Sequence, residues 1–147
     1  MAENVVEVKN LKTYFFLDDG VLKAVDDVSF SIARKGVLGV IGESGCGKSV
    51  TAQSVMRIVP DPGKIVSGNI LLYRDGNVQD IAQMGDNSET IRKIRGRVIS
   101  MIFQEPMTSL SPVHSIGNQI IEVIRLHRTR NPEEQRRICI DILAKVG

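Results

Sequence analysis

Apolar and polar residues alternate in short blocks at the start of the chain. Val6 and Val8 alternate with Glu7 and Lys9, so Val5–Leu11 reads as an early strand. Tyr14, Phe15 and Phe16 follow, and Asp18-Asp19-Gly20 is a turn signal. Within Val21–Ile32, the apolar Val28, Phe30 and Ile32 alternate with Ser29 and Ser31, as in a half-buried strand. The turn Ala33-Arg34-Lys35-Gly36 then leads into a continuous apolar run, Val37-Leu38-Gly39-Val40-Ile41, suited to a buried strand. From Val50 the pattern is helical, and Pro60-Asp61-Pro62-Gly63 ends it.

Gly68–Tyr73 reads as a further strand with Asp75-Gly76-Asn77 as its turn. Ser88–Ile94 is a short helix ending near Gly96, with Arg92, Lys93 and Arg95 at the end where cations are favoured. This basic cluster reads as a solvated helix end in preference to a nucleic-acid patch. Arg97–Phe103 reads as a second buried strand, followed at once by Gln104-Glu105-Pro106, and Ile116–His127 as a helix. The last helix has Asn131 as N-cap, Pro132 at its first position and Glu134 three residues after the cap. Ile138, Ile142 and Val146 share one of its faces. The order of elements predicts an α/β fold with an antiparallel β element beside a parallel core.

Composition narrows the classes. At 147 residues with 42% hydrophobic and 24% charged residues, the chain suits one globular core or a large part of a bigger one. The net charge of +2 and 4% aromatics point away from nucleic acid. No apolar run approaches the roughly 20 residues that span a bilayer, and Met1-Ala2-Glu3-Asn4 lacks a signal-peptide pattern. The expected location is cytoplasmic, with membrane association through a partner. Cys46 and Cys139 form no disulfide framework or metal motif and agree with a reducing compartment.

The sharpest chemical signal is Gly42-Glu43-Ser44-Gly45-Cys46-Gly47-Lys48-Ser49, which fits G-x-x-x-x-G-K-[ST] between an apolar run and a helix. Successive backbone N–H groups from Ser44 to Ser49 can point at phosphate oxygens, helped by the positive end of the following helix. Lys48 would reach the β- and γ-phosphates and the Ser49 hydroxyl would ligate Mg²⁺. A turn that merely joins strand to helix leaves Lys48-Ser49 at this offset unexplained. Cys46 sits beside the helix N-terminus, where a thiol gains reactivity, and ATP should slow its alkylation.

The segment order resembles the ATP-binding subunit of an ABC transporter: Asn10-Leu11-Lys12, Ala24-Val25-Asp26-Asp27-Val28-Ser29-Phe30, Gly42–Ser49 and Ile102-Phe103-Gln104-Glu105-Pro106 occur in the family's order and spacing. The wording I-F-Q-E-P-M-T-S-L-S-P-V at 102–113, with Gly117-Asn118-Gln119-Ile120, resembles the oligopeptide, dipeptide and nickel importers, as do G-E-S-G-C-G-K-S-V-T and I-R-K-I-R-G. The resemblance implies a P-loop NTPase core of ABC type, with an antiparallel β subdomain over residues 1–103. Residues 104–147 would be the Q-loop and the beginning of the α-helical subdomain. It implies ATP and Mg²⁺ as ligands. Gln104 would be the glutamine that ligates Mg²⁺ and senses the γ-phosphate, and Phe15 the aromatic that stacks on adenine. From the residues alone, the trio Tyr14-Phe15-Phe16 can equally be core packing. Val50 stands where many members carry a Thr that contacts the α-phosphate, leaving only its N–H, and Cys46 replaces a common Ser.

The resemblance further implies membrane-spanning permease subunits and a second ABC ATPase subunit, identical or not, as partners. It places the protein on the cytoplasmic side of a bacterial or archaeal membrane, with no transmembrane segment of its own. No L-S-G-G signature, no apolar strand ending Asp-Glu and no later switch histidine occurs in these residues. The 147-residue chain is therefore expected to be the first part of such an ATPase, with weak nucleotide binding and background turnover by itself. Two rivals are a soluble ABC-type ATPase acting on nucleic acid or ribosomes, and a nucleotide-binding module without activity. A GTPase is disfavoured because no N-K-x-D motif is present.

Overall fold

The computed structural model describes residues 3–86, 88–104 and 110–146. The chain divides into two compact units, Met1–Arg95 and Gly96–Gly147. In the first, β1 (Asn4–Leu17) and β2 (Gly20–Ala33) form a hairpin across Asp18-Asp19. β3 (Gly63–Arg74) and β4 (Asn77–Asp80) complete an antiparallel sheet of order β2-β1-β3-β4. The hairpin strands run longer than their alternation suggested, and β1 continues through Tyr14, Phe15 and Phe16 to Leu17.

A bulge in β1 decides which residues face inward. Val6 and Val8 are buried, and then the buried positions switch to Leu11 and Thr13. The break falls at Asn10, whose φ of 47° is left-handed, opposite Asp27 with φ 64°. Asn and Asp tolerate that region better than most residues, and the Asn10 side-chain amide donates to Asp27 Oδ1 at 2.9 Å. The Asn10 N–H, out of the ladder, donates to Ser29 Oγ at 2.8 Å. Such bulges bend a strand and re-aim its side chains.

The inward face carries the core. Leu11, Ile70, Ile81 and Ile91 are fully buried, joined by Val8, Val25, Leu72, Ile94 and Met56. Each fully buried Leu or Ile contributes about 1.5–3 kcal/mol. The helical elements of this unit are α1 (Lys48–Met56), a 3₁₀ turn at Ile81–Gln83 and α2 (Glu89–Ile94). Asp80 Oδ1 accepts from the N–H groups of Ile70 and Ala82, both at 3.0 Å, tying the 3₁₀ turn to β3. Ser88 caps α2 by accepting from the Ile91 N–H at 3.3 Å.

The second unit holds α3 (Ile116–His127) and α4 (Pro132–Val146). Asn131 caps α4, accepting from the N–H groups of Glu133 at 3.0 Å and Glu134 at 3.4 Å. The Glu134 carboxylate does not return to the cap residue's own N–H. It accepts from the Thr129 hydroxyl at 2.7 Å, and Thr129 Oγ1 accepts the Asn131 N–H at 3.2 Å, so the box closes through a third residue. The buried residues of α4 are Gln135 and Cys139. Of the face expected inward, Ile142 and Val146 are exposed. Apolar spacing marked one face, but the Gln135 amide donates to Thr129 O at 2.9 Å and turns the adjacent face in.

Two further expectations are corrected. Neither Val37–Ile41 nor Arg97–Phe103 is a strand. Val37 is 99% exposed, Ile41 98% and Ile102 94%. An apolar run becomes a buried strand only when neighbouring strands take its N–H and C=O groups. Among the described residues no strand lies beside either run, and Gly96–Ile99 is instead a tight turn closed by the Gly96 N–H on Ile99 O at 2.7 Å. Glu105 to Ser109, inside the 102–113 wording, lie outside the described residues.

Candidate functional site

The octet Gly42–Ser49 leads into α1, and the helix end it forms has the donors an anion cradle needs, although the Cys46 N–H within the loop is taken by Glu43 O at 3.4 Å. Gly47 is the N-cap of α1 with φ 90°; no side chain caps the helix and no acidic residue stands in its first turn. Thr51 is the first residue with a carbonyl one turn back: its N–H and hydroxyl both reach Gly47 O, at 2.8 and 2.9 Å. The N–H groups of Lys48, Ser49 and Val50 therefore head the helix without a helical acceptor. This end carries about half a positive elementary charge. Lys48 adds a full one, its Nζ donating to the carbonyls of Gly42 at 2.7 Å and Glu43 at 2.6 Å and lying 3.5 Å from Cys46 Sγ. Glu43, Ser44, Gly45, Cys46 and Ser49 are exposed. A row of donors with a lysine and no capping acid suits a polyphosphate.

The sheet fixes where this cradle sits. A Cβ at Gly47 would collide with the Ala24 carbonyl oxygen of β2. Glycine is thus required there twice, by its angle and by the closeness of β2. Further along α1, Ser54 donates to Val50 O at 2.7 Å, and Thr13 Oγ1 of β1 lies 2.8 Å from Ser54 Oγ. Both hydroxyls are fully buried. Since the Ser54 proton is committed to Val50 O, Thr13 is the donor of the pair. At the other end of α1, Arg57 closes the helix in the left-handed region at φ 53°. Arg95 donates to Met56 O at 2.9 Å and also to Arg57 O, while Arg57 donates to Met84 O and pairs with Asp86.

Phe15, expected as a base-stacking aromatic, lies on the same inward face as Thr13 and is half-buried. It pairs with Leu22 on one side and Gly63 on the other. Its neighbour Tyr14 points away, donating its hydroxyl to Asp26 Oδ1 at 2.6 Å. That bond holds the Asp26 carboxyl below its ordinary range and raises the Tyr14 phenol. Gln104 lies in the second unit, exposed at a bend. Val50 is half-buried, its carbonyl engaged by Ser54.

Residues 25–147 match the family model described as ABC transporter, and the chain belongs to that family. It is 44% identical over 144 residues to the oligopeptide transport ATP-binding protein AppD of Bacillus subtilis, a match covering 97% of this chain and 42% of that protein. It is 43% identical over 133 residues to the glutathione import ATP-binding protein GsiA of Escherichia coli, covering 90% of this chain and 21% of the relative. The chain thus spans less than half the length of these curated relatives. The fold is that of the ATP-binding cassette MJ0796, solved as a dimer in a post-hydrolysis state with ADP and Pi. That match has a TM-score of 0.71 at 21% identity and covers 95% of this chain and 56% of that one.

Sequence reasoning found the octet, and the structure gathers its residues at one helix end. It missed what holds the helix: the Ala24 carbonyl and the Thr13–Ser54 pair toward the octet, and Arg95 at the far end. Thr13 carried no signal because the bulge at Asn10 reverses the alternation. Gly63 was read only as part of a helix-ending turn.

Proposed function

We propose that this chain is the nucleotide-binding part of an ABC importer ATPase that couples ATP binding and hydrolysis to uptake of peptides across the cytoplasmic membrane. The observation that carries the reading is the uncapped, acid-free N-terminus of α1 with Lys48 folded over the loop before it. Backbone N–H groups of the octet bind the phosphates, Lys48 draws toward the β- and γ-phosphates in place of Gly42 O and Glu43 O, and Phe15 supports adenine. Ser49 would hold Mg²⁺, which when bound neutralises phosphate charge; the wording around Gln104 supports its separate assignment as the Q-loop glutamine. The names of the relatives, an oligopeptide transport and a glutathione import ATP-binding protein, favour peptides over nickel as cargo. The partners are permease subunits and a second ATPase subunit, and the place is the cytoplasmic face. No helix among the described residues is long and apolar enough to cross a membrane.

Titration of the full-length protein with ATP and GTP, with and without Mg²⁺, tests this. ATP binding that strengthens with Mg²⁺ and is lost in Lys48→Ala is the expected result. Binding unaffected by Lys48→Ala overturns it. Co-purification with a permease distinguishes an importer subunit from a soluble ATPase.

A further inference from the structure

Gly63 begins β3 directly opposite Phe15. It is not among the residues with left-handed backbone, so its own angles do not demand glycine. The demand comes from its neighbours. A Cβ at Gly63 would lie 2.6 Å from Val59 Cγ1, 2.7 Å from Phe15 Cε1 and 2.9 Å from Phe15 Cζ, closer than carbon atoms approach. The backbone beneath is pinned: the Gly63 N–H donates to Pro60 O at 2.9 Å, and the Phe16 N–H reaches Pro62 O at 3.4 Å. With the floor fixed, an added methyl must displace the ring. Phe15 is only half-buried, so this floor settles one side of the ring while another part stays open to solvent.

We propose that Gly63 and Val59 form a seat that sets the orientation of the Phe15 ring, making Gly63 a positioning residue for the nucleoside base. The proposal rests on the reading of Phe15 as the base platform. An aromatic ring contributes to base binding only when its face is presented to the base, and a ring lifted from its seat loses that alignment. The phosphate cradle, resting on Ala24 and held through Ser54, is untouched by a methyl at residue 63. The seat therefore governs ATP and leaves a bare polyphosphate unaffected.

The experiment compares ATP with inorganic tripolyphosphate as ligands of the full-length protein, in wild type, Phe15→Ala, Gly63→Ala and the double variant. Loss of a base–aromatic stack lowers affinity by about tenfold. ATP affinity should fall by about that factor in Phe15→Ala and Gly63→Ala, with tripolyphosphate affinity unchanged in both. The double variant should bind ATP no more weakly than Phe15→Ala, because the seat acts through the ring; a merely structural glycine would give additive losses. If Phe15→Ala leaves the ratio of the two affinities unchanged, the base-platform reading falls and the seat with it. If Phe15→Ala lowers the ratio and Gly63→Ala does not, the seat alone is overturned. Should Gly63→Ala fail to fold, Val59→Ala loosens the seat from its other side, and an unchanged ratio there refutes the proposal equally.

Discussion

The buried hydroxyl pair between β1 and α1 gives a prediction whose sign depends on who donates. Thr13 and Ser54 have no exposed surface, and the chain of bonds runs from Thr13 Oγ1 to Ser54 Oγ to Val50 O over 2.8 and 2.7 Å. Thr13→Val keeps the shape and removes the first donor. Ser54 still satisfies Val50 O, so the loss is one net hydrogen bond, about 1 kcal/mol. Ser54→Ala strands the Thr13 hydroxyl in a dry site, costing about 1–3 kcal/mol. Alanine's better helix propensity returns only about 0.5 kcal/mol. The double variant has no stranded hydroxyl, so its cost should fall short of the sum by about 1 kcal/mol.

Urea unfolding followed by circular dichroism measures all three, supported by thermal midpoints that move about 4–8 °C per kcal/mol in a domain of 60–100 residues. Ser54→Ala should be the costlier single change. If Thr13→Val proves costlier, or if the two costs add, the assigned direction of the hydrogen bond is wrong.

Alkylation by iodoacetamide should occur at exposed Cys46, whose Sγ lies 3.5 Å from Lys48 Nζ, and ATP should slow it. Buried Cys139 should not compete, and equal labelling rates with and without nucleotide would remove Cys46 from the site. Tyr73 donates to Glu7 Oε2 at 2.7 Å, a bond that, ahead of Lys9, holds the Glu7 carboxyl below its ordinary 4.5 and raises the Tyr73 phenol above 10.0. The depressed carboxyl contributes stability above its unfolded pKa, lost as pH falls through the folded value. The raised phenol contributes below its unfolded pKa, lost as pH rises through the folded value. Tyr73→Phe should therefore lower stability at neutral pH and flatten both the acid and alkaline limbs of the unfolding profile; superimposable limb shapes would count against the pair.

The octet was legible because its chemistry is local. A glycine-rich loop leading into a helix carries its glycines, Lys48 and Ser49 within eight consecutive residues, and so shows them in one window. The caps at Ser88 and Asn131 were local too, and Asn131 was read with its helix. What escaped depended on distant residues. The run Val37–Ile41 has the composition of a buried strand, but composition reports what could be buried and not which strand supplies the hydrogen bonds. The buried face of α4 escaped for a similar reason, since Gln135 hides a polar amide by bonding the carbonyl of Thr129, which apolar periodicity does not register.

The bulge at Asn10 shows how one backbone conformation carries the site. Continued from Val6 and Val8, strict alternation would send Lys12, Tyr14 and Phe16 toward α1, placing a cation and a phenol against the apolar core. The left-handed turn at Asn10, matched by Asp27 across the hairpin, shifts the inward set to Leu11 and Thr13, with Phe15 next along that face. Thr13 then meets Ser54, Phe15 meets Gly63, and Lys12 and Tyr14 turn outward onto Asp26. A register slip of one residue would undo all of these contacts together. The contacts that hold α1 and the ring of Phe15 are therefore set ahead of the octet, by two short polar residues whose role is to let β1 and β2 change face.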